Sequence, residues 1–435
     1  MMKPINVGLC GTGVVGGGTA VVLKRNAEEI ARRAGRPIVI TMAATREPER
    51  AREVCGPDVV ITENVFDVVN NPDIDIVVEL IGGTTIAKEI VLKAIENGKH
   101  VVTANKKLLA EYGNEIFAKA QEKGVMVAFE AAVAGGIPII KALREGLTAN
   151  KIEWVAGIIN GTSNFILTEM RDKGAAFADV LKEAQALGYA EADPTFDIEG
   201  HDAAHKLTIM SAIAFGIPVQ FDKAYLEGIS KLEAQDIGYA QELGYRIKLL
   251  GITRRKPNGI ELRVHPTLIP HKRLIANVDG VMNAVLVKGD AVGATLYYGA
   301  GAGAEPTASS VIADLVDITR LATADPENRV PHLAFQPTKM ANLPILSIDE
   351  VETCYYLRIN AQDKPGVLAD ITRIFADASI SIDSMLQKPA PEDRADIIIL
   401  THLAVEKNVN GALAKIEALD AINGKVVKLR LEHLA

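Results

Sequence analysis

The stretch "INVGLCGTGVVGGGTAVVLKRN" near the start of the chain leaves few folds open. An apolar run from Ile5 to Leu9 reads as a strand, and Gly11, Gly13 and Gly16 follow in GxGxxG spacing before a helical run from about Gly17. The first glycine permits a tight turn, the second lets a pyrophosphate approach the backbone, and the third lets helix and strand pack closely. The helix N-terminus supplies amide donors. The motif therefore predicts a dinucleotide cradle formed by Gly11, Thr12, Gly13, Val14, Val15 and Gly16. A lone GxGxxG is weak, but here "PIVITMAATR", "PDIDIVVELIGG", "KEIVLKAIENGKHVVTANK" and "EIFAKAQEKGVMVAFEAAV" continue the alternation of strand and helix. That alternation predicts a doubly wound parallel sheet of Rossmann type, which a mere glycine-rich turn does not explain.

The end of the second strand bears on cofactor choice. NAD sites usually carry an acid there to hold the ribose hydroxyls. This chain offers Thr45 and Arg46, with acid only at Glu47. Arg46 suits the 2′-phosphate of NADP(H), which is favoured, and Glu47 leaves NAD(H) open. Two further loops, "ELIGGTT" and "VVTANKKLLA", follow apolar strands and put Gly82, Gly83, Thr103 and Lys106 on the rim where an open α/β sheet binds its ligand. A helix-start charge is the plainer account of Lys106.

The chain has 435 residues, too many for one core, so two or three domains are expected. Cys10, Cys55 and Cys354 lie far apart without CxxC spacing, which argues against disulfides or a thiolate metal site and fits the cytoplasm. Neither export nor membrane insertion is expected, because no basic segment precedes a cleavable apolar one and no apolar run reaches spanning length. A formal charge of -8 disfavours a nucleic-acid partner.

From about Gly136 the pattern changes. "KIEWVAGIINGTSNFILTEM" reads as strand, turn and helix, and "FADVLKEAQALGYAEADP" as an amphipathic helix closed by Gly188. Then "EADPTFDIEGHDAAHKL" gathers Glu191, Asp193, Asp197, Glu199 and Asp202 with His201, His205 and Lys206. Pro194 and Gly200 frame the start of a helix on which Asp202 and Lys206 share one face, continued by Ile209, Ile213 and Ile217. An acid followed by a lysine four residues later is ordinary on an exposed helix. This helix is apolar nearly all round, so its first turns are expected to be partly buried, where charge is costly without a partner or a task. His201 and His205 have metal-ligand spacing, but a zinc hydrolase of HExxH type needs a glutamate where Ala203 and Ala204 stand. Asp193, Asp197 and Glu199 read as turn and cap residues.

Residues 323–350 are rich in proline and polar groups and read as a linker. Beyond them the order βαββαβ predicts a ferredoxin-like module.

The motifs "GTGVVGGG", "TANK", "EAAVAGGIPII", "NGTSNFIL", "LGYAEADPTFDIEGHDAAHKL" and "GAGAEPTASSVIAD", in this order over nearly the whole chain, resemble the homoserine dehydrogenase family. The resemblance implies interconversion of L-aspartate 4-semialdehyde and L-homoserine with a nicotinamide cofactor. It also implies Lys206 as the catalytic lysine, Glu191 and Asp202 as carboxylates that hold the substrate amino group and a neighbouring water, and Lys106 as a contact to cofactor and substrate. Lys107, where the family often has a small residue, leaves open which lysine faces the site. The family's monovalent cation, commonly sodium, would fall on backbone carbonyls in "EAAVAGGI", implicating Glu130, Val133, Gly135 and Ile137; a glycine hinge is the competing account. Gly303 of "GAGAEPTASS" would approach the nicotinamide. The loop "NAQDKPGVLADI" resembles the ligand loop of ACT domains, with Asp363, Pro365 and Gly366 in its fingerprint and Val367 opening the helix. L-threonine is then the implied effector, and a dimerisation module without ligand the alternative.

The expected organisation is a Rossmann-type NAD(P)-binding domain at 1–135, a catalytic and dimerising α+β domain at 136–310, a return helix and linker at 311–349, and an ACT domain at 350–435, assembled as a homodimer or homotetramer. Two rivals remain: a dehydrogenase working through a cysteine thioester, and a non-catalytic regulator that senses nucleotides and amino acids.

Overall fold

The computed structural model describes residues 3–434. They form two compact units, each assembled from separated chain segments: one takes the chain up to Gly161, Asp202–Lys223 and Val281–Leu343, the other Thr162–His201, Ala224–Gly280 and the chain from Pro344.

The first unit contains a six-stranded parallel sheet of β1 (Ile5–Cys10), β2 (Ile38–Ala44), β3 (Val60–Thr62), β4 (Ile76–Glu79), β5 (His100–Thr103) and β6 (Val127–Ala128) in the order β3-β2-β1-β4-β5-β6. Helices α1 (Val14–Arg25), α2 (Ala27–Ala34), α3 (Pro48–Cys55), α4 (Val65–Asn70), α5 (Thr85–Glu96) and α6 (Lys106–Lys123) connect the strands. β4 is buried along its whole length, as a central strand covered on both faces must be. Strand order reverses between β1 and β4, and the crevice outside their C-terminal ends is where such sheets take ligands. Helix α1 starts at Val14, three residues ahead of the expected Gly17, because the GxGxxG turn itself winds into the first helical turn. The helix Ala304–Leu321 returns to this sheet and packs on α1 so closely that a Cβ at Gly18 would lie 2.6 Å from the Ala304 carbonyl.

The same unit holds three antiparallel strands, with Met282–Gly289 between Ile152–Ile158 and Gly293–Ala300, and the buried helix His201–Phe215. Gly216, at φ +62°, ends that helix, so Ile217 lies beyond it rather than on the Asp202 face. Residues 323–343, expected as a linker, are docked. Arg329 donates to the Gly124, Ala322 and Ala324 carbonyls, and His332 stacks on Phe117 while its Nε2 accepts from the Val127 amide.

In the second unit a long hairpin, Tyr245–Lys256 with Gly259–Pro270, turns at Pro257–Asn258. The ferredoxin-like module follows as Glu352–Gln362, Val367–Asp377, Ile382–Ala390, Arg394–Thr401, Glu406–Glu417 and Val427–Leu431. Its last strand also pairs in parallel with the hairpin, Thr267 opposite Arg430, so hairpin and module share one sheet. Tyr355, Leu357, Ile359, Ile371, Phe375, Ile397 and Val409 form the module's own core.

Candidate active site

The cradle begins where β1 meets α1. A Cβ on Gly16 would sit 2.0 Å from the Gly11 carbonyl, so only glycine allows this helix to start so close to the strand. At Gly13 an added Cβ would meet nothing within 4 Å, which leaves the backbone open to a ligand. No side chain caps the amides of the first turn of α1. Unspent donors at a helix N-terminus over an open glycine turn suit a pyrophosphate. Thr12 is buried, with its hydroxyl 2.8 Å from that of Thr45. Arg46 is exposed at the end of β2 and makes no ion pair among the described residues, whereas Glu47 pairs with Arg50.

The rim opposite is built by the ends of β4 and β5. Thr103 is fully buried, Asn105 caps α6 by accepting from the Leu108 amide, and Lys106 is the first residue of that helix. Its ammonium reaches Asp202 Oδ1 at 2.9 Å. Lys107, by contrast, lies 3.9 Å from Glu111 on its own helix.

Asp202 is the hub of the cluster. Its Oδ2 accepts from Lys206 Nζ at 2.7 Å and from Asn160 Nδ2 at 2.9 Å. Lys206 Nζ also donates to the Ile159 carbonyl at 2.7 Å. The helical spacing of four residues places Asp202 and Lys206 side by side, and both are buried. Burial pushes the Asp202 carboxyl up, but the ammonium groups of Lys206 and Lys106 and the hydrogen bonds from Lys206 and Asn160 outweigh it and hold the group well below the carboxylate range. The carboxylate stays charged, and two cations share it. The arrangement brings one buried lysine and a second from the start of α6 onto the same carboxylate.

Glu191 lies in the second unit, exposed on the loop after Phe177–Ala186; its backbone carbonyl accepts from Gln185. His201 is exposed and stacks on Phe196, while His205 is buried against Phe221. Among the described residues no group of three or more histidine, cysteine or acidic side chains is placed to hold a metal ion. In "EAAVAGGI", Ala134 and Gly135 are both left-handed, at φ 55° and 44°. The Glu130 carboxylate accepts from the Ile140 and Lys141 amides, and its carbonyl accepts from the Val133 amide at 3.4 Å. Gly303, at φ 122°, caps Ala304–Leu321. In the C-terminal module Gly366, at φ 96°, caps Val367–Asp377, and Asp363 accepts from Gln387.

Sequence reasoning passed over Asn160 and Glu79. Asn160 was legible only as part of the "NGTSN" turn, since its partner is distant in sequence. Glu79 ends an apolar strand with a carboxylate just before two glycines, a signal that could have been read.

A dinucleotide cradle facing a rim with a buried lysine–aspartate pair defines an NAD(P)-dependent oxidoreductase. Family models for homoserine dehydrogenase match residues 138–316, for the homoserine dehydrogenase NAD-binding domain residues 11–130, and for the ACT domain residues 355–421. Homoserine dehydrogenase of Pseudomonas aeruginosa is 66% identical over 435 residues, covering 100% of both chains. The crystal structure of a homoserine dehydrogenase from Thiobacillus denitrificans is 72% identical, covers 100% of this chain and 99% of its own, and superposes with a TM-score of 0.96. A hyperthermophilic archaeal homoserine dehydrogenase in complex with NADPH is 25% identical, with 74% and 99% coverage and a TM-score of 0.63. The chain belongs to the homoserine dehydrogenase family, and is an oxidoreductase acting on a CH–OH group. The thioester route also lacks an activated thiol. Burial, with the Glu79 charge behind it, pushes Cys10 up to about 12, and burial raises Cys55 and Cys354.

Proposed function

We propose that the chain interconverts L-homoserine and L-aspartate 4-semialdehyde with NADP(H) preferred over NAD(H), and that Lys206 moves the proton. The observation that carries this reading is the buried Lys206 ammonium, 2.7 Å from a carboxylate that stays ionised. The bound nicotinamide supplies or accepts the hydride. In homoserine oxidation Lys206, in its neutral form, takes the hydroxyl proton; in the reverse direction its ammonium returns it to the developing alkoxide. Asp202 orients Lys206 and Lys106, Asn160 holds Asp202 in place, and Glu191 and Asp202 are the carboxylates that the family resemblance assigns to the substrate amino group and a neighbouring water. Gly11, Gly13 and Gly16 with the α1 amides cradle the pyrophosphate, Gly82, Thr103 and Gly303 line the way to the nicotinamide, and Arg46 takes the 2′-phosphate. The unpaired Arg46 and the archaeal relative seen with NADPH support that preference.

By the family resemblance the carbonyls of Glu130, Val133, Gly135 and Ile137 would hold a monovalent cation such as sodium; the left-handed pair at Ala134 and Gly135 breaks the regular run of the backbone there. The cation's role would be structural, steadying the segment that leaves β6. The ACT loop at Asp363, Pro365, Gly366 and Val367 is read as an L-threonine site giving feedback control in threonine, methionine and isoleucine biosynthesis. A cytoplasmic homodimer or homotetramer completes the reading, with the division at 1–135, 136–310, 311–349 and 350–435 and its two large parts joined by the return helix.

The test is homoserine-dependent reduction of NADP and of NAD by purified protein at alkaline pH with sodium present, followed by reduced-nicotinamide absorbance. Turnover with a higher kcat/KM for NADP, and a rate that rises with pH while chemistry limits, is expected. A flat pH profile removes the proton-transfer role of Lys206, and preference for NAD removes that of Arg46. The rival account, a non-catalytic sensor, predicts no turnover at all.

A further inference from the structure

Glu79 is fully buried at the end of β4, yet no lysine or arginine pairs with it among the described residues. A lone buried carboxylate is costly unless hydrogen bonds hold it. Here Oε1 accepts from the Ile81 amide at 2.9 Å and the Gly82 amide at 3.2 Å, and Oε2 accepts from the Thr103 hydroxyl at 2.7 Å. Thr103 Oγ1 in turn accepts from the Asn105 amide at 3.0 Å. The Asn105 side chain works in two directions: Nδ2 donates to the Gly83 carbonyl at 2.7 Å, and Oδ1 accepts from the Leu108 amide at 3.0 Å, capping α6. The contacts close into a ring running from β4 through the loop at Gly82 and Gly83, across Asn105, and back through Thr103.

Both loop glycines are left-handed, at φ 79° and 70°, with open space where a Cβ would stand, so packing does not hold this loop in place. The ring does, and the residue after Asn105 is Lys106, which reaches Asp202 from the first turn of α6. We propose that Glu79 is a positioning residue: through the 80–83 loop, Thr103 and Asn105 it sets the start of α6, and thereby the placement of the Lys106 ammonium against Asp202. This deepens the reading of Lys106 given above and rests on it.

The experiment compares the full-length variants E79A, E79Q, T103V and K106M and the double variant E79A/K106M. Measured are kcat and KM for homoserine, the NADPH dissociation constant by fluorescence without substrate, and thermal unfolding. Gln at 79 can still accept from both loop amides and donate to Thr103, so E79Q should stay within about threefold of wild type in kcat/KM. E79A and T103V should each lose about tenfold or more, and E79A should weaken NADPH by about threefold or more. Because Glu79 acts through Lys106, adding E79A to K106M should cost no more than about twofold further. A general loss of structure would instead multiply onto K106M in full and would leave E79Q as impaired as E79A; either result overturns the proposal. If E79A fails to fold, T103V, which keeps the volume of threonine and removes its oxygen, carries the test alone. Wild-type kinetics in K106M would overturn the reading of Lys106 and this proposal with it. A loss in K106M beside wild-type kinetics in E79A and T103V would overturn the positioning role only.

Discussion

Two of the regions in which the chain buries charge use it in opposite ways. In the first unit two ammonium groups, from Lys206 and Lys106, share the single carboxylate of Asp202. In the second, Arg430 forks onto Glu406 through Nε and Nη2 and reaches Glu227 through Nη1, while Arg263 spans Glu261 and Glu432 and Arg254 adds a further contact to Glu432. Burial alone does not separate these sets, since Arg430, Glu406, Arg263 and Asp202 are all inaccessible. The cation does. A guanidinium keeps its proton at any working pH and fills a planar fork of acceptors, whereas an ammonium can give its proton up. At the edge of the arginine set Lys428 and Lys256 add ammonium groups on Glu406 and Glu261, so what marks that set is the forked guanidinium at its centre rather than a balance of charge. The arginine pattern ties strands of one sheet together, and the lysine pattern is the one on which the proposed proton transfer rests.

Removing the proton carrier should produce the largest effect. Lys206→Ala is expected to lower kcat by roughly 10²- to 10⁴-fold, with NADPH affinity and the unfolding midpoint little changed, because Asp202 keeps Lys106 and Asn160 as partners. Steady-state kinetics beside cofactor titration measures both. Retained turnover would place Lys206 with the arginines, as a structural cation.

The converse experiment removes a structural cation. Arg430→Met takes the forked partner from Glu406, leaving it Lys428 and the Tyr355 hydroxyl, and one partner from Glu227, which keeps the Tyr225 hydroxyl; it should cost up to about 3 kcal/mol in urea unfolding. Turnover per folded molecule should stay within about twofold of wild type. A large fall in kcat with unchanged stability would show that the second region belongs to the chemistry.

These regions differed equally in how far the sequence disclosed them. Asp202 and Lys206 were visible because the helical period brings residues four apart together without any knowledge of tertiary structure. Asn160 and the Ile159 carbonyl were not, since their place beside Asp202 depends on how a strand and a distant helix pack. Arg254, Glu261 and Arg263 sit around "PNG" and look like the solvated charges of an exposed hairpin; a parallel strand carrying Arg430 and Glu432 joins that hairpin, and Glu261 and Arg263 are buried while Arg254 is half-buried. Local pattern fixes period and turn, while the strand that arrives from elsewhere decides which face is wet. The docked segment at 323–343 was misread for the same reason. Its prolines and polar side chains mark a linker by composition, and what holds it, Arg329 on helix-end carbonyls and His332 on a strand edge, is written in the partners.

Acidification sharpens the comparison, because a carboxylate of each set, Asp202 in one and Glu432 in the other, stays ionised in mild acid. Asp202 is held far below the carboxylate range, burial notwithstanding, and Glu432 is held at about 2 by Arg263 and Arg254 against its burial. What changes between pH 6.5 and 4 are half-buried neutral histidines. Burial first, then nearby arginines, lowers His332 to about 4, and burial with Arg329 does the same for His100. The unfolded chain binds the proton at about 6.5 while the folded one refuses it until about 4, so these groups withdraw stability as pH falls through that window, on the order of 3 kcal/mol for His332. Glu130, raised to about 7 by its burial beside Asp314, works in the opposite direction, since folding favours its protonated form and stability is lost as pH rises from about 4.5 to 7. A single pH curve therefore mixes the two, and the useful quantity is a difference. His332→Gln keeps an acceptor for the Val127 amide but cannot take a proton. It should be less stable than wild type at pH 7.5 through lost stacking on Phe117, and the gap should close or reverse by pH 4.5 in urea unfolding. A gap that stays constant with pH would mean that His332 is not held neutral, and that mild acid acts on the ion pairs after all.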